Sequence, residues 1–471
     1  MTAPLPIARP VQRPRDDIAQ DAVPPAPRTS SSRMTILLIA QAYPPYPAVG
    51  AFRAQKIARA FRDAGHQVHV ITERLTDALE AERREEPGIV LHRVALGLKL
   101  RERVLGMLGR GRATPALGAS NGAAAADAPA APAQDPRAAG LLKRFVIAML
   151  WLPDDEQRFI RPALRAARPL MAGTALVYTT APSWSTHIVG LLLQRRHRVR
   201  WAADFRDPWV DILPERTDRY STAVTDVILR RIERAILRRA DHVVAVATKT
   251  RDALAAKLPL DERGKFVLAR NGIDVVFPAR EHREPGPFRI AYAGSFYDDR
   301  DPRLFLRALA RLRAQRPITA SDLRVDFAGD CRTIGAVSVE RLVADLGLDD
   351  LVTFHDWMPQ VEARALLARA DLLLVLARGM RLQVPNKLYE YLGLRIPIFA
   401  WADEDGETAA VLRALGGHHV VTDDDESGMA HAIERAITST STSASSPDQD
   451  ALLAEWMAER QMALLVAAVG A

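Results

Sequence analysis

Cysteine is all but missing from this sequence, with one residue, Cys331, among 471. That excludes a disulfide framework and any cysteine-cluster metal site, and it fits a reducing compartment. No apolar run approaches the roughly 20 residues needed to cross a bilayer. Residues 1–33 carry Pro, Arg and Ser without a central apolar stretch, so they read as a disordered tail and not as a secretory leader. The expected location is cytoplasmic, with peripheral attachment to the inner face of the cell membrane as an extension. Missing too are a G-x-x-x-x-G-K-[ST] loop, an H-E-x-x-H helix and a G-x-S-x-G elbow. The first strand does not run into G-x-G-x-x-G, which argues against a nicotinamide cofactor.

What is present is the composition of an ordinary soluble protein of two or three domains, 48% hydrophobic and 26% charged. Lys and Arg (64) exceed Asp and Glu (57), for a net charge of +7 that favours anionic partners: phosphates, nucleic acid or acidic lipid. Thr35–Ala40 is a short apolar run of the kind buried in a parallel sheet. A turn-rich loop leads from it to a helix over about 52–64, closed by Gly65, and then to a strand at Val68–Thr72. Strand, loop, helix and strand make one βαβ unit. Alternation resumes at Ala175–Thr180, Val199–Asp204 and His242–Val246. Residues 111–140 hold 13 Ala, 4 Pro and 4 Gly, too little bulky apolar surface for a core, and read as a flexible insertion.

A second series of strands starts after Pro285-Gly286-Pro287, at Arg289–Ala293, Leu323–Ala328, Leu351–Phe354, Leu372–Leu376, Ile396–Ala400 and His418–Val421. Two such series imply an α/β protein of two doubly wound, Rossmann-like domains, over 34–275 and 286–437, facing across a cleft. An apolar helix at Ala451–Val469, within the last segment 451–471, is expected to return to the N-terminal domain. Ligands of such sheets bind beyond the C-terminal strand ends, so the chemistry is sought in those loops.

Four places there stand out. Gly50 and Arg53 open the first long helix, where a Gly permits close backbone approach and the helix start favours an anion; Gly50 reads equally well as a plain turn residue. Arg206 and Asp207 follow the strand ending at Asp204, and read either as catalytic residues or as a pair closing a loop. Gly294, Ser295 and Arg300 suit a phosphate cradle, although many strand-to-helix turns carry Gly. The acids at 298, 299 and 301 read as a solvated loop, so no metal is expected. Asn386, Lys387 and Glu390 open another helix, with Lys387 and Glu390 three apart on one face. They are either a plain ion pair, or a Lys near a phosphate beside a Glu on a sugar diol. The helix Ile228–Ala240 puts Leu229, Ile232 and Ile236 on one face and Arg230, Arg234 and Arg238 on the other. It reads as a solvated amphipathic helix and not as a nucleic-acid surface.

These residues, with Arg239–Val244, Arg270–Asp274, Phe327–Asp330 and Lys387–Leu392, resemble in order the GT-B glycosyltransferases of family 4. The likeness is to bacterial members that build lipopolysaccharide, capsule or exopolysaccharide, and it covers about 34–435. The resemblance implies a nucleotide-sugar donor on the C-terminal domain and a saccharide acceptor, lipid-linked in many members, on the N-terminal one. Transfer is expected to retain configuration without a metal or other cofactor. By the same likeness Gly50 lies near the donor diphosphate, Arg300 binds phosphate and Glu390 holds the ribose. The pattern departs from the family at three positions. Leu382 stands where the first Glu of the E-x7-E motif belongs, Ser295 where a basic residue does, and Arg206 where many members have His. A nucleotide-sugar epimerase of similar fold is the enzyme alternative, and a non-catalytic assembly partner is the other. The segments 98–112 and 141–152 combine bulky apolar and basic residues, and each reads either as packed on the N-terminal domain or as lying on an anionic membrane surface.

Overall fold

The computed structural model describes residues 33–46, 48–76, 86–97, 149, 152–211, 223–280, 285–297, 300–439 and 447–470. The tail, the insertion, segment 98–112 and nearly all of 141–152 lie outside them.

The first unit runs β1 (Thr35–Ile39), α1 (Val49–Asp63), β2 (Gln67–Glu73), β3 (Ile89–Val94), α2 (Ile160–Ala167), β4 (Leu176–Ala181), α3 (Ser185–His197), β5 (Arg200–Phe205), α4 (Ala223–Arg239), β6 (His242–Ala245), α5 (Thr248–Ala255) and β7 (Phe266–Leu268). Its seven strands are parallel in the order β3-β2-β1-β4-β5-β6-β7. Period-two alternation sends the side chains of β1 to two different cores. Leu37 and Ile39 pack with Ala163 and Ala167 of α2, Val189 of α3 and Ile236 of α4. Ile36 and Leu38 pack with Ile57 and Phe61 of α1. α1 stops in a Schellman turn: Gly65 at φ +88 donates its N–H to Arg62 O (2.8 Å), and His66 N–H reaches Phe61 O (3.1 Å). β3 and β7 go unmarked in the sequence because both are edge strands with incomplete burial, and β7 has only three residues.

The second unit continues with β8 (Phe288–Ala293), α6 (Arg303–Gln315), β9 (Leu323–Ala328), a two-strand hairpin β10 (Thr333–Ile334) and β11 (Val337–Ser338), α7 (Val339–Asp345) and β12 (Val352–His355). It closes with α8 (Gln360–Ala368), β13 (Leu372–Ala377), α9 (Lys387–Leu394), β14 (Ile398–Ala402), α10 (Glu407–Leu415), β15 (His419–Val421) and α11 (Glu426–Ser439). Six of its strands form a parallel sheet in the order β12-β9-β8-β13-β14-β15. The order reverses between β1 and β4 in the first sheet and between β8 and β13 in the second. Crevices open at such switch points, just past the strand ends.

The single C-terminal helix expected at 451–469 is two helices, α12 (Pro447–Glu455) and α13 (Ala458–Gly470). The break has a packing cause. Leu453 and Trp456 belong to the core of the second unit, while Met462, Leu465 and Val469 belong to that of the first. The chain changes partners between them, where Ile273 N–H donates to Trp456 O (2.8 Å) and Ala458 N–H to Ile273 O (2.9 Å). Gly272, at φ +75, makes this crossing possible, because a Cβ there would lie 2.7 Å from Ala458 N.

Candidate active site

On the first unit, the switch point gathers the start of α1 and the loops after β4 and β5. Gly50 lies in the first turn of α1 directly beneath the guanidinium of Arg206, and a Cβ on it would come within 2.8 Å of Arg206 Cζ. Arg206 is held from below as well, its Nε donating to Ala181 O (2.6 Å) and Nη2 to Pro182 O (2.9 Å). Burial, and secondarily Arg53, lower its pKa, opposed by Asp207 and Asp204. Residue 50 is therefore small because an arginine lies across it. The first turn of α1 holds no acidic residue, and Ala48 gives it no side-chain cap.

Arg53 is not part of that surface. It is 4% exposed and forms a two-pronged pair with Asp204, Nε to Oδ2 at 2.9 Å and Nη2 to Oδ1 at 2.8 Å. Its other bonds go to Ala269 O (3.1 Å), Asn271 Oδ1 (3.1 Å) and Arg270 O (3.4 Å). Every donor is spent on tying α1 to β5 and to the interdomain connection. Asp207 likewise has a partner, accepting a 2.6 Å bond from Gln383 Nε2 of the second unit.

On the second unit, the loops after β8 and β13 converge. Gly294, at φ +138, leaves room that a Cβ would close to 2.7 Å from Lys387 Nζ. Its neighbour Gly329 is equally constrained, since a Cβ there would lie 2.6 Å from Gly294 O. The Lys387 ammonium is 3.5 Å from the ring centroid of Tyr292. Arg300 lies over the ring of Tyr297 at 4.5 Å. Both Lys387 Nζ and Arg300 Nε are buried and have no hydrogen-bond partner. Burial, followed by repulsion from Arg300, pushes the Lys387 pKa well below its ordinary value. Ser295 contributes a backbone carbonyl that accepts from Tyr292 Oη (2.9 Å). Cys331 donates its thiol to Gly294 O (3.1 Å), and burial raises its pKa to about 12.

Asn386 is exposed at the N-cap of α9 and makes no side-chain cap bond. Glu390, one turn on, is half-buried and accepts from Nε and Nη2 of Arg364, both at 3.3 Å. The Lys387 and Glu390 side chains do not form an ion pair with each other among the described contacts; each has its own neighbour. Leu382 presents its carbonyl to Thr250 Oγ1 at 2.6 Å, an interdomain bond.

Sequence reasoning missed a third interdomain contact. Glu407, at the start of α10, is buried and accepts the backbone N–H groups of Thr248 (2.8 Å) and Lys249 (2.9 Å) at the start of α5. In sequence Glu407 reads as a first-turn acid serving its own helix; in the fold it caps one in the other unit. Tyr292 and Arg364 were also missed, the first because it reads as a strand core residue. Among the described residues no group of three His, Cys, Asp or Glu could hold a metal ion.

Residues 50–272 match the family described as Glycosyl transferase 4-like domain. A D-inositol 3-phosphate glycosyltransferase of Pseudarthrobacter chlorophenolicus is 34% identical over 90 residues, 19% of this chain and 20% of that protein. The matched segment thus spans a fifth of that relative's length. The fold is shared with HepE of Anabaena, solved in complex with UDP, at a TM-score of 0.60 and 15% identity over 92% of this chain and 98% of that one. It is also shared with the lipopolysaccharide outer core galactosyltransferase WaaB, at 0.57 and 11% identity over 93% and 99%. Residues 50–272 thus carry a glycosyl transferase 4-like domain, and the two parallel sheets have the two-domain fold of these glycosyltransferase structures.

Proposed function

We propose that the protein transfers a sugar, with retention of configuration, from a nucleotide-sugar donor to a saccharide acceptor carried on a lipid, in the assembly of bacterial cell-surface polysaccharide. The observation that carries the donor half is the pair of orphan cations. Lys387 Nζ and Arg300 Nε are buried without partners beside Gly294, at the switch point of the second sheet. Leaving buried donors unsatisfied costs about 1–3 kcal/mol each, and more for a charged group. A diphosphate in the space that Gly294 keeps open supplies both with acceptors.

The same groups serve the chemistry. Breaking the sugar–diphosphate bond builds negative charge on the leaving group. Preorganised Lys387, Arg300 and the start of α9 stabilise that charge as it forms. Arg206, lying over Gly50 on the opposite wall, is the group of the first unit best placed to face the donor. Glu390 holds the ribose. The bonds Asp207–Gln383, Thr250–Leu382 and Glu407–α5 keep the two walls together and water out of the cleft. HepE crystallised with UDP supports a nucleotide donor, and WaaB supports a saccharide acceptor. Retention and independence of metal rest on the family resemblance.

The test is thermal-shift titration with UDP, GDP, ADP and their sugars, on the wild type and on Lys387→Met and Arg300→Ala. A ligand at 100 times its Kd adds about 2.7 kcal/mol of stability, a visible shift. One nucleotide shifting the wild type but neither folded variant supports the assignment. No shift with any nucleotide returns the chain to a non-catalytic assembly role. Turnover without release of nucleotide would indicate an epimerase.

A further inference from the structure

Arg206 owes its place over Gly50 to two carbonyls of one short turn. Its Nε donates to Ala181 O (2.6 Å) and its Nη2 to Pro182 O (2.9 Å), which leaves Nη1 as the guanidinium nitrogen nearest Gly50. The turn, residues 181–184, joins the end of β4 to the start of α3. A guanidinium hung on two adjacent carbonyls is placed only as well as the turn that carries them. Whatever fixes the turn therefore helps to fix Arg206.

Asp154 holds that turn from 29 positions before Ser183. It is buried, and its carboxylate accepts four hydrogen bonds. Oδ2 takes Ser183 Oγ and the Ser185 N–H, both at 2.9 Å. Oδ1 takes Ser185 Oγ (2.6 Å) and the Glu156 N–H (2.9 Å). The last of these closes Asp154's own turn, while the other three land on the residues that follow Pro182. α3 has no cap of its own, because Trp184 at its N-cap offers no acceptor side chain. A cap alone would need only the Ser185 N–H. The bond to Ser183 Oγ goes further, since Ser183 adjoins the Pro182 carbonyl that Arg206 uses. On its other flank the turn is braced by Trp184, whose ring stacks on Trp209 of the Arg206 loop at 5.0 Å.

We propose that Asp154 is a positioning residue for Arg206: through the turn 181–184 it sets where the guanidinium stands over Gly50, and so how the first unit meets a donor. A carboxylate suits the task because it has acceptor sites for four donors, which the single oxygen of an amide does not. The consequence for transfer rests on the proposed function, in which Arg206 faces the donor. The placement of Arg206 by Asp154 does not.

Two measurements on the full-length protein keep these apart. In magnetic resonance spectra of protein carrying isotope-labelled arginine, the Arg206 Nε–H is assigned by its loss in Arg206→Lys. Its exchange with water should speed up roughly tenfold in Asp154→Ala, as expected when such a bond is no longer held. Ser183→Ala, which spares the cap on α3, should speed it up roughly threefold. Turnover is read as nucleotide release from UDP-glucose, GDP-mannose or ADP-glucose, whichever the wild type consumes. There Asp154→Ala should lower kcat on the order of 100-fold and leave KM nearly unchanged, because the phosphate-holding groups lie on the second unit. Asp154→Asn should recover part of the loss. In an Arg206→Ala background Asp154→Ala should cost nothing further, since the group it positions is gone. Losses that multiply in the double variant make Asp154 merely structural and overturn the proposal. So does unchanged exchange at Arg206 in both Asp154→Ala and Ser183→Ala. A wild type that consumes none of the three sugars counts against the proposed function, while the exchange rate still decides whether Asp154 places Arg206.

Discussion

Residues 286–437 hold 18 Lys and Arg against 23 Asp and Glu, whereas the rest of the chain holds 46 against 34. The difference extends to individual side chains. In the second unit, surface arginines are matched to carboxylates, as in Arg313–Asp350, Arg316–Glu434, Arg307–Glu426 and Arg378–Asp403. Pairing also separates the buried charges. Arg53 and Asp204 hold the fold together, whereas Lys387 Nζ and Arg300 Nε, which the proposed function assigns to a donor diphosphate, have no hydrogen-bond partner.

Four experiments break or sharpen that contrast. Arg53→Ala has the largest expected effect, because it strands the fully buried Asp204 carboxylate and frees the interdomain connection. A loss of about 3–5 kcal/mol in urea unfolding is expected, and a loss under 1 kcal/mol would remove Arg53 from the paired, structural group.

Next comes acid sensitivity. His187 is buried between Phe205 and Trp184, with Nδ1 on Thr179 Oγ1 (2.8 Å) and Nε2 without a partner. Burial, partly offset by Asp204, lowers its pKa to about 3. Between that value and the usual 6.5 the unfolded chain binds the proton and the folded one does not, so stability falls as pH drops through this window. The full effect is a few kcal/mol at about 1.4 per pH unit. The stability–pH slope between about pH 6 and pH 4 should be shallower in His187→Gln.

Lys387 should show a smaller effect whose sign distinguishes it from Arg53. Lys387→Met removes a buried charge that lacks a partner, so apo stability should hold or rise, while affinity for the donor nucleotide drops by about 1.5–3 kcal/mol. Burial and Arg300 lower the Lys387 pKa in the empty site, and a bound diphosphate raises it again, so binding takes up protons at pH values between the two. Affinity should therefore fall as pH rises through that range in the wild type, a dependence that Lys387→Met should lack. Calorimetry in buffers of different ionisation heat reads the proton directly. The smallest effect belongs to Arg313→Ala, whose exposed pair with Asp350 should contribute less than about 1 kcal/mol.

The elements were legible where burial is two-sided. β1, β4, β5 and β13 are nearly continuous apolar runs, and their loops point to the cleft as soon as the alternation is recognised. Gly50, Gly294, Arg300 and Lys387, the candidates that the proposed function uses, are picked out by their position after strands. Arg53 could not be separated from them, because its role depends on Asp204, 151 positions away. The broken C-terminal helix was hidden for the same reason. Residues 451–469 are helical in pattern throughout, and only the change of packing partner at Trp456 divides them.

Local pattern thus determined that this chain forms two doubly wound sheets and determined which loops meet, since strand periodicity and strand-end position are properties of short stretches of sequence. Tertiary structure alone decided which charged residues are spent within the fold and which remain available. An arginine is the same residue in either case. Whether a carboxylate stands within 3 Å of it depends on segments that lie far apart until the chain folds.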